Sequence, residues 1–200
     1  MDERVLHSMA RWPEVPAVYG WLSLDRRGNW RIRGERVSNT AVAAFISRNY
    51  GHDGEGRWFF QNGPQRVFVT LDYTPFVYRV ASNYNAPLEL ESHTRLPVAA
   101  VKGAWLDEEG TLLLQTEQGI GLLSDRDINL LFPFLIDING NPLDDRVLVE
   151  VMELLQQQQP APLWLAFHDD NIRVQPIRSA EVAGRFGFVP RPLPPGQQHS

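Results

Sequence analysis

The strongest constraint on the fold of this chain is an internal repeat. One ordered set of residues recurs at a constant offset of 82 positions: Leu24, Asp25, Gly28 and Trp30 return as Leu106, Asp107, Gly110 and Leu112. Further along, the helix-start pair Ser38 and Asn39 returns as Ser124 and Asp125. Self-similarity at a long period is typical of a supersecondary unit that buries its apolar face against a neighbouring copy. We therefore expect two tandem structural repeats.

The strand region of the first copy also has a counterpart in the second. Trp58, Phe60, Asn62, Arg66 and Val67 match Trp164, Ala166 or Phe167, Asp170, Arg173 and Val174, at larger offsets of 106 to 108. The jump in offset indicates that residues 140–162 are an insertion. Within it, Val147, Val151, Leu154 and Leu155 share one helical face, which predicts an inserted helix near 144–159.

The predicted fold class is α+β, with two tandem repeats that are each a mainly antiparallel β-sheet with a short helix. The predicted boundaries are an N-terminal helix (2–10) and lead-in over 1–17, repeat 1 over 18–81, a linker over 82–97, repeat 2 over 98–189 and a disordered tail over 190–200. The turn DRRGN predicts a hairpin between 19–24 and 30–33, and a capped helix follows over 38–49.

Glycine and proline patterns predict the remaining elements of both repeats. YGHDGEG is predicted to be an irregular loop because it is rich in glycine. RWFFQNG, PQRVFVTLDY and PFVYRVAS are predicted to be three strands of an antiparallel meander. PLWLAF, NIRVQPI and RFGFV are predicted to complete the second sheet.

Composition and charge exclude several function classes. The chain has no cysteine, which removes disulfides, thiol catalysis and thiolate metal sites. Its net charge of −5 argues against general nucleic-acid binding. The longest apolar stretch, at 128–138, is too short to span a membrane, and the N-terminus lacks a signal-peptide pattern. We expect a soluble, cytoplasmic protein with no membrane partner and no cofactor.

The densest candidate site lies among the aromatic residues of the predicted meander. Aromatic density of this kind lines ligand grooves, although core packing is the commoner reason for it in strands. Trp58, Phe59 and Phe60 are consecutive, so both faces of their strand carry large apolar groups. We select Trp58, Phe60, Arg66 and Tyr78 as the predicted ligand-binding residues.

A metal-assisted alternative rests on two loops that contain a His-Asp pair. The first contains His52, Asp53 and Glu55, and the second contains His168 and Asp169. A metal or catalytic site needs convergence of groups from separate segments, so the alternative requires that the two loops meet. Without such convergence both loops are ordinary turns, and no metal site is predicted.

Two further patterns have structural explanations. Asp137, Asn139 and Asn141 match the first ligand positions of a calcium loop, but Pro142 and Leu148 occupy positions that need glycine and glutamate. A cluster of arginines around Trp30 could bind phosphate, and it comprises Arg26, Arg27, Arg31, Arg33 and Arg36. In an alternating strand these charges face solvent, so we interpret the cluster as a solvated face.

The sequence words GRWFFQNGPQRVFVTLDYTPFVYRV, AWLDEEG and RFGFVP resemble an uncharacterised proteobacterial family of unknown function. The residue order from Gly28 to Val77 is also similar to a second uncharacterised bacterial family. That resemblance implies a two-repeat α+β fold and a role in signal transduction. Neither family supplies catalytic residues, and no P-loop, G-x-S-x-G or H-E-x-x-H motif is present.

The sequence favours a non-enzymatic regulatory or interaction module that binds a small ligand or a protein partner. The alternative is a small metal-assisted hydrolase that uses the His-Asp loops.

Overall fold

The computed structural model describes residues 2, 3, 7, 15–81 and 86–197. The predicted N-terminal helix over 2–10 lies, apart from residues 2, 3 and 7, outside the described residues. The chain divides into two compact units, which are Met1–Pro75 with Phe186–Ser200, and Phe76–Arg185.

The first unit contains a six-stranded sheet with a helix beside it. Its elements are β1 (Val18–Leu24), β2 (Trp30–Ile32), β3 (Glu35–Arg36), α1 (Thr40–Arg48), β4 (Tyr50–His52), β5 (Trp58–Asn62) and β6 (Gln65–Leu71). The predicted hairpin and the predicted helix over 38–49 are therefore confirmed. Helix α1 starts where predicted because the Asn39 side chain accepts hydrogen bonds from the backbone N–H groups of Ala41 and Val42.

The second unit contains an eight-stranded sheet with the inserted helix. Its strands are β7 (Phe76–Val80), β8 (Leu90–Ser92), β9 (Val101–Leu106), β10 (Leu112–Thr116), β11 (Ile120–Leu123), β12 (Leu135–Ile136), β13 (Trp164–Phe167) and β14 (Asp170–Pro176). Its helices are α2 (Ile128–Leu131), a 3-10 helix (Phe132–Phe134), α3 (Asp145–Gln156) and α4 (Ser179–Phe186). The fold is α+β, as predicted.

The two sheets have the same strand order. The first sheet runs β3-β2-β1-β6-β5-β4, and the second runs β11-β10-β9-β14-β13-β12, with β7 and β8 added beside β11. In each sheet the first strand of the hairpin pairs in parallel with the last strand, β1 with β6 and β9 with β14. This order is what a repeated module requires, and it agrees with the two-repeat interpretation.

Strand register also shows how the two copies align. Leu24 pairs with Leu71 in the first sheet, and Leu106 pairs with Pro176 in the second. Residues at equivalent positions of β6 and β14 are therefore 105 apart in the sequence. Applied to β5 and β13, the same offset makes Phe59, rather than Trp58, the counterpart of Trp164. The sequence comparison paired Trp58 with Trp164 because both are tryptophan. Trp58 lies one position before Phe59, which is the counterpart by register.

Four turns of the form D-x-x-G-x recur, two in each unit. In each turn the aspartate carboxylate accepts hydrogen bonds from the backbone N–H groups two and four residues later, and the glycine takes a positive φ. The turns begin at Asp25, Asp53, Asp107 and Asp137, and their glycines are Gly28, Gly56, Gly110 and Gly140, with φ between 74° and 83°. Such an Asx turn reverses the chain without help from the core.

Three predicted elements differ in the structure. The predicted loop YGHDGEG begins with strand β4, because Tyr50–His52 pair with β5 and only the D-x-x-G-x turn that follows is irregular. Strand β7 is not the third strand of a meander. The chain leaves the first sheet after Leu71, and β7 pairs with β11 and β8 of the second sheet.

The segment RFGFV does not complete the second sheet. It returns to the first unit, where Val189 forms a β-bridge with Arg57 and the Val189 N–H donates to the carbonyl oxygen of Gly56. The Leu71 N–H likewise donates to the carbonyl oxygen of Pro190, at the start of the predicted tail. Residues 198–200 of that tail lie outside the described residues.

The inserted helix is confirmed as α3, which Asp144 caps through hydrogen bonds from the N–H groups of Arg146 and Val147. Its buried face contains Leu148, Val151 and Leu155. Among the described residues, no helix is long and apolar enough to cross a membrane.

Candidate functional site

A pocket opens on one face of the first sheet, beside helix α1. It has a volume of about 390 Å³ and is lined by Val18, Trp21, Leu22, Ile32, Arg33, Ile46, Phe60, Asn62, Gln65 and Val67. Its walls are apolar and buried, since Leu22, Ile46, Phe60 and Val67 are each at most 9% exposed. Its volume falls in the range of small-molecule sites, which are concave and mostly apolar with a few polar groups.

An irregularity in β1 gives the pocket its most exposed aromatic residue. The pairing of β1 with β6 shifts register between Val18 and Leu22, and Gly20 has a φ of 67° at this point. A bulge of this kind changes the direction of a side chain and is common beside binding sites. Trp21 follows Gly20 and remains 40% exposed, although it lines the pocket.

The turn between β2 and β3 supplies the only cation among the residues that line this pocket. Ile32 pairs with Glu35, so Arg33 and Gly34 form a two-residue hairpin loop, and both have a positive φ. This is the geometry of a type I′ turn, which asparagine and glycine prefer. The Arg33 guanidinium lies 5.4 Å from the centre of the Trp21 ring. The backbone N–H of Arg33 also donates to the backbone carbonyl oxygen of Trp21.

Two amides complete the polar lining of the pocket. Asn62 and Gln65 are paired at the hairpin end of β5 and β6. The Gln65 Nε2 donates to the carbonyl oxygen of Pro16 at 3.3 Å. The pocket therefore combines an apolar wall, an indole, a guanidinium and two amides, which is a binding surface with no nucleophile or general base in its lining.

The four residues predicted to bind a ligand do not share one surface within the first unit. Phe60 lines the pocket and packs edge-on against Phe45 of α1, at 5.5 Å between ring centres. Trp58 is only 8% exposed and packs against Tyr50 and His52.

Arg66 lies on the opposite face of the sheet from Phe60. Its partner across the ladder is Gln61, whereas Phe60 pairs with Val67, so Phe60 and Arg66 alternate in direction. The Arg66 guanidinium stacks 4.6 Å from the Phe59 ring centre. Phe60 therefore lines the pocket and Arg66 does not.

Tyr78 belongs to the second unit and is fully buried there. Its hydroxyl lies 2.8 Å from Thr116 Oγ1 and donates to the carbonyl oxygen of Gly119 at 2.9 Å. Burial raises the pKa of the Tyr78 hydroxyl far above its usual range, although the hydrogen bond with Thr116 opposes this effect. These contacts give Tyr78 a structural position in the core.

In the first His-Asp loop, Asp53 is the aspartate of a D-x-x-G-x turn. Its carboxylate accepts hydrogen bonds from the N–H groups of Glu55 and Arg57 and pairs with the Arg57 guanidinium at 2.8 Å. Burial raises the pKa of Asp53, but the hydrogen bonds from Arg57 outweigh it, and the net shift is downward. Glu55 also pairs with Arg57, at 3.1 Å.

The second His-Asp pair is the two-residue loop between β13 and β14, since Phe167 pairs with Asp170. His168 has a φ of 53° at the position where the first sheet has Gly63, with a φ of 57°. The His168 ring stacks on Phe167 at 4.1 Å. Among the described residues, no three histidine or carboxylate side chains lie together as a metal ion would require.

A second pocket, of about 420 Å³, lies on the second unit. It is lined by Pro160, Ala161, Arg173, Val174, Gln175 and Pro176. No aromatic side chain is among these lining residues, and its single cation, Arg173, lies 5.8 Å from the centre of the Trp164 ring. The pocket on the first unit is therefore the better-formed ligand site.

These features define an α+β protein with an apolar pocket on its first sheet. The family model described as "Protein of unknown function (DUF2946)" matches residues 1–193. Because this match covers most of the chain, the protein belongs to that family, and the predicted resemblance to uncharacterised bacterial proteins is confirmed. No curated protein matches the chain.

Two solved structures match this chain. A DUF1285 family protein from Silicibacter pomeroyi DSS-3 has a TM-score of 0.54 and 14% identity, over 84% of this chain and 87% of its own. A DUF1285 family protein from Shewanella baltica OS155 has a TM-score of 0.41 and 15% identity, over 53% of this chain and 85% of its own. The first supports the α+β fold assignment.

Sequence reasoning did not select Trp21 and Arg33 for the site. Two local signals were present, a glycine inside the strand at Gly20 and an arginine-glycine pair at a two-residue turn. Strict alternation placed Arg33 in solvent beside Arg31, and Arg33 is exposed, but alternation gave no sign that its guanidinium also lies over the Trp21 ring.

Proposed function

We propose that this protein is a non-enzymatic module that binds a small ligand in the pocket of its first unit and acts in regulation or signalling. The observation that carries the proposal is the combination of a buried apolar wall with an exposed tryptophan and a cation at one pocket of about 390 Å³. Phe60, which the sequence also selects, forms part of that wall.

The energetics of the pocket favour an apolar ligand. Water in a concave apolar site is displaced at a gain of about 25 cal/mol for each Å² of apolar surface that the ligand removes from water. The walls formed by Leu22, Ile46 and Val67 are already ordered in the core, so binding there costs little side-chain entropy. A largely apolar molecule of modest size is the ligand class that this pocket suits.

The lining has no side chain that could act as a nucleophile or a general base, which supports ligand binding rather than catalysis. The lining residues include no serine, histidine, aspartate or glutamate. In the hydrolase alternative, Asp53 and Glu55 both pair with Arg57, which leaves their carboxylates engaged in a turn. No observation favours that alternative.

The test is a thermal-shift screen of the purified chain against metabolites and signalling nucleotides, followed by calorimetric titration of each hit. A ligand at 100 times its Kd stabilises the folded state by about 2.7 kcal/mol. At 2–4 °C per kcal/mol for a chain of this size, the melting temperature should rise by roughly 5–10 °C.

Two matched variants locate the binding site. Trp21→Ala removes a pocket residue that is 40% exposed, and Val42→Ala removes an apolar residue that is 42% exposed and outside the pocket. Loss of the shift in Trp21→Ala with retention in Val42→Ala supports the proposal. An unchanged shift in Trp21→Ala, or no hit with the wild type, overturns it.

A further inference from the structure

Arg33 occupies a backbone conformation that its side chain does not favour. Its φ is 51°, and the other non-glycine residues with a positive φ among those described are Arg95, Gln158 and His168. A type I′ turn is most stable with asparagine or glycine at this position. Backbone strain of this kind costs turn stability and is found most often at binding and switch sites.

Arg33 also differs from neighbouring arginines in its partners. Arg31 pairs with Asp25 at 3.0 Å, and Arg57 pairs with Asp53 at 2.8 Å. Within the described part of the chain, Arg33 has no carboxylate partner, and its guanidinium is held only over the Trp21 ring. Stacking on an aromatic face leaves the N–H edge of a guanidinium available for an anion.

The other polar groups of the pocket are compatible with the same ligand group. Among the described residues, the Asn62 side-chain amide makes no hydrogen bond, although Asn62 lines the pocket with Arg33. No acidic side chain lines this pocket. The lining is therefore electropositive at its polar part and apolar elsewhere.

We propose that the ligand of this pocket is an amphipathic carboxylate, whose apolar body lies against Leu22, Ile46 and Phe60 and whose carboxylate binds Arg33. This inference rests on the proposed small-ligand function and adds the chemical class. A carboxylate suits the site because its two oxygens accept the paired N–H groups of a planar guanidinium.

The experiment compares three probes that share one apolar body: octanoate, octan-1-ol and octylammonium. Each is titrated calorimetrically into the wild type, into Arg33→Gln and into the control Arg36→Gln, which removes an exposed arginine outside the pocket. Glutamine keeps the positive-φ strain at position 33, so the variant removes the guanidinium, with its charge and its stacking on Trp21, without relieving the turn.

The expected result is that octanoate binds the wild type and Arg36→Gln equally and binds Arg33→Gln about tenfold more weakly, as the loss of one charge-assisted contact implies. Octan-1-ol should bind all three chains alike, and octylammonium should bind most weakly. The octanoate affinity should also fall as salt is added, because Arg33 is exposed.

Two other outcomes overturn the inference and separate it from the proposed function. Equal binding of octanoate and octan-1-ol, with no effect of Arg33→Gln, keeps the apolar pocket and removes the carboxylate. Binding of none of the three probes, together with a thermal-shift hit of another chemical class that Trp21→Ala abolishes, keeps the proposed function and removes the amphipathic ligand.

Discussion

Two glycines at the same position of the D-x-x-G-x turn provide a controlled test of how the C-terminal segment stabilises the first unit. Gly56 and Gly140 have φ values of 74° and 83°. A Cβ atom at Gly140 meets nothing within 4 Å, whereas one at Gly56 collides with the carbonyl oxygen of Gly187 and lies 3.1 Å from Phe188 Cα. The variants Gly56→Ala and Gly140→Ala therefore share the conformational penalty, and only Gly56→Ala displaces a neighbouring chain segment.

The magnitudes follow from these contacts. An alanine with positive φ costs about 1–2 kcal/mol, which is the whole expected effect of Gly140→Ala. Displacing residues 187–190 also removes the hydrogen bonds from the Val189 N–H to Gly56 and from the Leu71 N–H to Pro190, each with a net value of about 1 kcal/mol. Gly56→Ala should therefore cost roughly 3–4 kcal/mol.

The assay is urea unfolding of both variants, followed by amide hydrogen exchange. With a slope of about 2 kcal/mol per molar urea, the midpoint of Gly56→Ala should fall about 1 M further than that of Gly140→Ala. Exchange should accelerate at the Leu71 and Val189 amides only in Gly56→Ala. Equal midpoint shifts, or unchanged protection at Leu71, would refute the argument that the C-terminal segment is packed on this turn.

Two further predictions concern the second unit. Tyr78→Phe removes a buried hydroxyl that donates to Gly119, so the free energy of unfolding in urea should fall by about 1–2 kcal/mol, whereas no change would fit a tyrosine that serves only a ligand. Burial, with a smaller effect of the Arg79 charge, lowers the pKa of His93 to about 3, so folded His93 stays neutral while the unfolded chain takes up a proton below about pH 6.5. The free energy of unfolding should therefore fall by about 1.4 kcal/mol per pH unit as the pH falls from about 6.5 toward 3. His93→Gln should flatten that slope between about pH 5 and 6.5. An unchanged slope in the variant would contradict the assignment to His93.

Local sequence chemistry was sufficient to predict the elements that a few neighbouring residues specify. The Asn39 cap sets the start of α1, and Asp25 with Gly28 sets the first hairpin, because each interaction is complete within a few positions. The same turn explains Asp53 and Asp137, which looked like candidate metal ligands. Four copies of one turn motif were visible in the sequence, although only two of them were recognised as a repeat.

The candidate site was predicted less completely, for a physical reason. Phe60 was selected from aromatic density, and it does line the pocket. Trp21 and Arg33 were missed because a bulge and a positive φ set their directions, and both break the alternation on which strand reasoning depends. That Trp58, Phe60, Arg66 and Tyr78 bind a ligand stays a prediction, which for Phe60 now attaches to the pocket.

The sequence alone determined the fold class, the hairpins and the capped helices α1 and α3, since these depend on short-range hydrogen bonding and on the period of apolar residues. The helix start predicted at Ser124 and Asp125 was wrong, because α2 begins at Ile128 and has no side-chain cap. Only the tertiary structure decided which strands became neighbours. Strand β7 joins β11 rather than β6, and residues 187–190 return to the turn at Gly56. Pairing between distant strands depends on the apolar surface that the whole chain can bury, and no local pattern contains that information.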